Sequence, residues 1–203
     1  TLNNYNIMAD IKQTIQDFYK VAQTRDFTRD FQFRVLDVSN KGVPVFTEDD
    51  LVYATAAVLP GKQISPKEVP YNGFTFRIPG TVSYNNSDAF GIDFYCDATS
   101  NSRIAIENWV TETFNDETST GDGVIHNNST ITLAQLDTKF EVLRTYKLFG
   151  VFPVQAGDIT YSMVGSGEVL SVSLTFAYQF FRRDNELNTA VNAIGKLAGA
   201  VLG

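Results

Sequence analysis

Glu168-Val169-Leu170-Ser171-Val172-Ser173-Leu174-Thr175-Phe176-Ala177-Tyr178-Gln179-Phe180-Phe181 is the stretch that decides the fold. Leu170, Val172, Leu174, Phe176, Tyr178 and Phe180 fall on one side of an extended chain, with Ser171, Ser173, Thr175, Ala177 and Gln179 on the other. Such alternation is the pattern of a β-strand with one face on a core. At ~3.3 Å per residue the stretch would exceed about 40 Å, longer than an ordinary strand. Its second face is small, polar and uncharged, which suits a tall barrel wall.

Other strands are read outward from it. Phe90 to Cys96 alternates, with Phe90, Ile92, Phe94 and Cys96 inward. Phe74 to Val82 places Phe74, Phe76 and Ile78 together, and Asp30 to Val38 sets Phe31, Phe33 and Val35 against Gln32 and Arg34. Leu51 to Leu59 is almost wholly apolar or small and reads as a strand buried on both faces. Lys139 to Phe152 is a strand bent at Gly150, and Asp158 to Val164 a further one, joined to the long strand by a tight turn at Gly165-Ser166-Gly167. Lys41-Gly42-Val43-Pro44 and Tyr84 to Asp88 are turns. Pro60, Gly61, Pro66, Pro70 and Gly73 cannot sit in a central strand, so Pro60 to Gly73 is a long loop or an irregular hairpin arm.

Three helices are expected. Ile7 to Ala22 carries a stripe of Ile7, Ile11, Ile15, Phe18 and Ala22. A second, capped by Thr99 or Ser100, runs to about Phe114 and buries Ile106, Trp109, Val110 and Phe114. A third follows Arg182-Arg183-Asp184, with Leu187, Ala190, Val191, Ile194, Leu197, Ala198 and Val201 on one side and Gly195, Gly199 and Gly203 four apart. The fold class is mainly β: two packed antiparallel sheets forming a sandwich or barrel with flanking helices. The divisions are an N-terminal helical segment (1–27), a β domain (28–183) with a surface excursion (113–130), and a C-terminal helical extension (184–203).

Composition narrows the function. The chain has 203 residues with 43% hydrophobic and 19% charged, too apolar for disorder. No apolar run reaches the ~20 residues of a membrane helix, and Thr1-Leu2-Asn3-Asn4 shows no basic region followed by an apolar core, so no signal peptide is visible, whereas a processed one would leave no trace. One cysteine, Cys96, excludes an internal disulfide framework and a multi-cysteine zinc site. The net charge of −7 opposes a protein that grips nucleic acid by its phosphates. No Lys or Arg lies between Arg103 and Lys139, whereas Glu107, Glu112, Asp116, Glu117 and Asp122 do; they make either a solvated acidic surface or an acidic contact or channel patch.

No catalytic constellation assembles. The single histidine, His126, sits in a Gly/Asn-rich loop without an adjacent base or nucleophile. Cys96 lies on an apolar face, the place of an inert thiol. No phosphate loop, dinucleotide fingerprint or zincin helix is present, and no motif requires a cofactor or metal. A monomeric β-barrel binding module would need an apolar pocket; a two-carboxylate hydrolase would need converging acids.

Several strings, in one order, carry a family resemblance. Tyr146-Lys147-Leu148-Phe149-Gly150-Val151-Phe152-Pro153 leads through Asp158 to Met163 into the long strand. Tyr53, Ala54, Ala57, Leu59-Pro60-Gly61 and Val69-Pro70 lead to Phe74–Val82; Asp93 leads into the helix of Arg103, Trp109 and Val110; and Phe31 to Asp37 fits a first strand. Over most of residues 28–181 the chain resembles the tail tube proteins of contractile-tailed bacteriophages.

The resemblance implies a non-enzymatic virion protein, assembled in the host bacterial cytoplasm. Its subunits form stacked hexameric rings in which one sheet continues into its neighbours as a large inner β-barrel. Implied partners are other copies of the chain, the sheath, the tape-measure protein, and the baseplate and tail-terminator proteins, with DNA passing through. Implied inter-ring contacts are Pro60, Gly61, Lys62, Pro66 and Lys67. The implied barrel wall holds Phe74, Phe76, Ser171, Ser173, Thr175 and Gln179, and an acidic lumen would repel phosphates. The N-terminal helix, the Thr113–Thr130 excursion and the C-terminal helix depart from the pattern. They leave open a tube-end or baseplate-proximal protein, or a tailocin or secretion-system tube subunit.

Overall fold

A strand buried on both faces organises the larger sheet. Thr130–Leu136 is closed to solvent at six of seven positions and lies between two partners. Its sequence sets Ile131 and Leu133 against Thr130 and Thr132, and both sets are buried, with Gln135 the one half-exposed position.

The computed structural model describes residues 15–184. The elements in chain order are α1 (Ile15–Thr24), β1 (Phe33–Asn40), β2 (Val43–Pro44), α2 (Glu48–Val52), β3 (Ala54–Ala57), β4 (Gly61–Tyr71), β5 (Phe74–Asn85) and β6 (Phe90–Tyr95). Then come α3 (Asn101–Thr113), β7 (Phe114–Asn115), β8 (Thr120–Gly121), β9 (Thr130–Leu136), β10 (Val142–Phe149), β11 (Phe152–Ala156), β12 (Ser171–Ala177) and β13 (Phe180–Asp184). A five-stranded sheet, β13-β10-β9-β1-β2, faces a four-stranded one, β11-β12-β6-β3; β4-β5 and β7-β8 are separate hairpins. All pairings are antiparallel. Among the described residues neither sheet closes into a barrel.

The core lies between the sheets. Phe90, Ile92 and Phe94 of β6 and Val172, Leu174 and Phe176 of β12 meet Val35, Val38, Ile131, Leu133 and Leu148 of the larger sheet, all nearly solvent-free. Full burial of such a side chain stabilises by about 1.5–3 kcal/mol. α3 closes the sandwich beside β11 and β12 through Ile106 and Trp109, whose indole lies 6.0 Å from the Phe176 ring.

The long strand is two strands. β12 stays in the smaller sheet, the chain bends at Tyr178 and Gln179, and β13 joins the larger one. The bend shifts the alternation by one residue. Phe181 therefore packs inward against Tyr84 and Tyr146, while Phe180 turns outward and stacks on Phe149 at 5.1 Å. The neighbouring chain bends at Gly150, as the sequence predicts, so β10 and β11 also lie in different sheets. The two crossings touch, the Gln179 N–H donating to the Phe149 carbonyl at 3.0 Å. Strands that switch sheets make the corner of such a sandwich.

Several expectations are corrected. Leu51 to Leu59 is not one strand: Thr47 and Asp50 form a capping box that opens α2, leaving only the half-exposed β3 in the sheet. Asp158 to Val164 is not a strand, because β11 and β6 already occupy both sides of β12. Tyr161, Met163 and Val164 are exposed, and the turn closes earlier, from the Gly165 N–H to the Ser162 carbonyl at 3.4 Å. A bulge between Val35 and Asp37 makes Val35 and Val38 the buried pair of β1; Phe31 is exposed against Phe140 and Gln32 is buried. Ser100 makes no side-chain cap. The Asp97 carboxylate accepts instead from the Asn101 N–H at 3.2 Å and from the Thr99 hydroxyl, the latter chiefly holding it below the usual carboxylate range. Val110 is partly exposed, and Phe114 leaves α3 for β7. Residues 7–14 of the first expected helix, and the helix after Asp184, lie outside the described residues.

Candidate assembly surfaces

Tyr71-Asn72-Gly73-Phe74 creates the most prominent surface. Asn72 (φ 46°) and Gly73 (φ 80°) adopt the left-handed conformations of a two-residue hairpin turn, and β4 and β5 run back from it for 11 and 12 residues. The hairpin alternative expected for Pro60–Gly73 is the one observed. Its prolines are accommodated because each strand of a two-stranded ribbon keeps a free edge. Pro66 pairs with Pro79 beside a bulge. Gly80 occupies that bulge, where a Cβ would stand 2.5 Å from the Ser65 carbonyl oxygen.

Register gives this arm two unlike faces. Tyr71 opposes Phe74, Val69 opposes Phe76 and Lys67 opposes Ile78, making one face almost wholly apolar. Pro70 opposes Thr75, Glu68 opposes Arg77 and Pro66 opposes Pro79 on the other, with Arg77 Nε 3.3 Å from Glu68 Oε1. That ion pair is exposed and contributes little. Nothing among the described residues covers the apolar face: Phe74 is 72% and Phe76 55% exposed.

The expected inter-ring residues divide. Lys62, Pro66 and Lys67 lie exposed on the arm, whereas Pro60 is buried at its root and Gly61 packs against Asn85. The expected wall residues divide too. Phe74 and Phe76 belong to the arm. Ser171, Ser173 and Thr175 line the outer face of the smaller sheet, where the Ser173 hydroxyl donates to Asp93 Oδ1 at 2.5 Å. Gln179 sits at the corner. Outward-facing Phe149 and Phe180, with Arg182 above both rings and Lys147 above Phe149, form a basic aromatic ridge on the larger sheet. The ridge went unread because the alternation shift at Tyr178 and Gln179 leaves no mark in the sequence.

The acidic residues are largely paired. Glu107 meets Arg103 at 2.7 Å. Lys41, in the β1–β2 turn, meets Asp122 at 2.9 Å and Glu112 at 3.6 Å. His126 Nε2 lies 2.8 Å from Asp122 Oδ2. Lys41 foremost, then His126 and the Val124 N–H, hold the Asp122 carboxyl down to about 2. This cluster pins the excursion to the domain, while Asp116 and Glu117 stay exposed at its tip. Beside it lies a cavity of about 280 Å³ lined by Trp109, Ile125, Val151 and Phe152. The charged groups at its mouth are bonded to one another. An Asp122 ionised down to about pH 2 is no proton donor near neutrality. Burial foremost raises the Cys96 thiol, which is half-buried against the core.

Sheet edges are a third surface. Among the described residues β13 and β2 end the larger sheet and β11 and β3 the smaller. Pro44 and Pro153 blunt two of these edges, whereas β3 and β13 contain no proline. No described helix is long and apolar enough to cross a membrane.

A profile of the family described as phage tail tube protein matches residues 4–184. No protein in the curated sequence comparison matches the chain. Among solved structures, the anti-feeding prophage cap, a tube-terminating cap, superposes with a TM-score of 0.51 at 12% identity, over 79% of this chain and 92% of that one. The sheath–tube complex of the extracellular contractile injection system PVC gives 0.45 at 13% identity, over 81% and 96%. The PVC sheath/tube terminator gives 0.48 at 12%, over 79% and 98%.

Proposed function

The chain belongs to the phage tail tube protein family, a structural and non-enzymatic one, and on that premise we propose that it is a ring subunit that stacks into the inner tube of a contractile tail. Six copies make a ring. Strands of one copy continue a sheet of the next, so that edges such as β3 and β13 find partners and a large inner barrel closes around a lumen. The arm bridges adjacent rings through Lys62, Pro66, Lys67, Phe74 and Phe76. Sheath surrounds the tube, tape-measure protein fills it before DNA does, and baseplate and terminator close its ends.

The observation that carries the reading is the arm. An isolated two-stranded ribbon is marginal in water, yet this one extends 11 and 12 residues and exposes Tyr71, Phe74, Phe76 and Ile78 on one face. Such a patch on a soluble chain marks a protein interface. The test is electron microscopy and light scattering of the purified full chain across salt concentrations. Six-fold rings and rods are expected. A monodisperse monomer with no ring under any condition would overturn the reading.

A further inference from the structure

Among the described residues, two apolar faces lack a covering layer. One is the arm face of Val69, Tyr71, Phe74, Phe76 and Ile78, each 43–72% exposed. The other is α1. Ile15, Phe18, Tyr19 and Ala22 form one stripe about 100° wide, yet no residue of α1 is buried, and Ile15, Phe18 and Tyr19 are 88%, 55% and 64% exposed.

The two faces match in kind and size. A helix stripe on a sheet face is one of the standard ways to complete a hydrophobic layer. Ten helical residues span about 15 Å; the runs Lys67–Tyr71 and Phe74–Ile78 span about 17 Å. The arm face offers roughly 600 Å² of apolar surface, at about 150–250 Å² for a whole aromatic side chain. That approaches the ~800 Å² per partner of a specific interface, and the stripe of α1 supplies the opposing layer. Among the described residues of one chain the arm face is uncovered and Phe18 of α1 stacks on Phe27, at 6.0 Å, rather than on the arm, so the helix does not cover its own arm.

We propose that α1 of one copy lies on the apolar face of the arm of a second copy, with Phe18 and Tyr19 against Val69, Phe76 and Ile78. The proposal rests on the reading of the chain as a self-assembling tube subunit and names what the arm grips: the neighbour's N-terminal helix. Lys67, at the base of the face, marks the end where apolar contact stops.

The test uses full chains carrying Cys96→Ser with either Tyr19→Cys or Phe76→Cys, differently tagged, mixed under assembly conditions and treated with a short bis-maleimide. A covalent dimer bearing both tags is expected in the mixture, with none from either variant alone. In parallel, Phe18→Asp should raise the concentration for half-maximal assembly about tenfold or more while leaving the circular dichroism of the subunit unchanged. Rods that form without the mixed dimer, and a Phe18→Asp chain that assembles at the unmodified concentration, would overturn the helix-to-arm contact while leaving the tube reading intact. Failure of the unmodified chain to form rings would overturn both.

Discussion

Gln179 closes over Gly150: a Cβ on that glycine would stand 2.7 Å from the Gln179 Cγ and 3.1 Å from the Ile125 Cγ2. Gly150 also holds φ at +64°, which a β-branched residue resists. Gly150→Val should therefore destabilise the domain by at least about 2 kcal/mol. The urea midpoint measures this, and an unchanged midpoint would show that the corner is not the constraint described.

Gly80 makes the same demand on the arm, remote from the core. Gly80→Ala puts a carbon against the Ser65 carbonyl and should break the register beyond the bulge. The unfolding midpoint of the sandwich should move by less than about 0.5 kcal/mol, while rods disappear from micrographs. A large loss of core stability would contradict the separation of arm from sandwich.

Asp122 sets an acid limit on the excursion. Its folded-state value of about 2 lies below the ~3.9 of an unfolded aspartate. Its ionised form therefore favours the folded state above about pH 4, and that contribution is lost as the pH falls from about 4 to about 2. Trp109, the sole tryptophan, lines the adjacent cavity, so its fluorescence should change across that window. Asp122→Asn should flatten the change; a profile identical to the parent would reject the assignment.

Phe176 joins the sheets to α3 through Trp109. Phe176→Ala should cost about 3–5 kcal/mol and shift Trp109 emission to the red. A loss under 1 kcal/mol in denaturant titration would mean that the site collapses around the deletion.

Local alternation was readable where one face of a strand is buried and the other is wet. Phe90, Ile92 and Phe94 point inward as their spacing predicts, as do Leu174 and Phe176. β9 was missed although Thr130-Ile131-Thr132-Leu133 alternates, because this short run follows directly on the polar, Gly/Asn-rich excursion and was absorbed into it. Thr47 and Asp50 did carry a legible signal, a capping box ahead of Leu51, but the apolar run behind it dominated the reading. The crossing after Ala177 could not be read at all, since a one-residue shift in facing is a tertiary event within an unbroken β pattern. At the assembly surface, Pro60, Gly61, Pro66, Pro70 and Gly73 marked a loop or hairpin arm, and the Asn72-Gly73 turn that decides for the hairpin went unread. The pairing of Lys41 with Asp122 was not readable, because 80 intervening residues separate the cation from the acid it meets most closely.

The paired crossings at Gly150 and Gln179 bear on mechanics. Two segments of the one main chain tie the halves of the sandwich at one corner, so thrust delivered to either half reaches the other through covalent bonds before any side-chain contact must slip. A pipe made of such units would bend or twist at the seams between them long before any unit sheared internally.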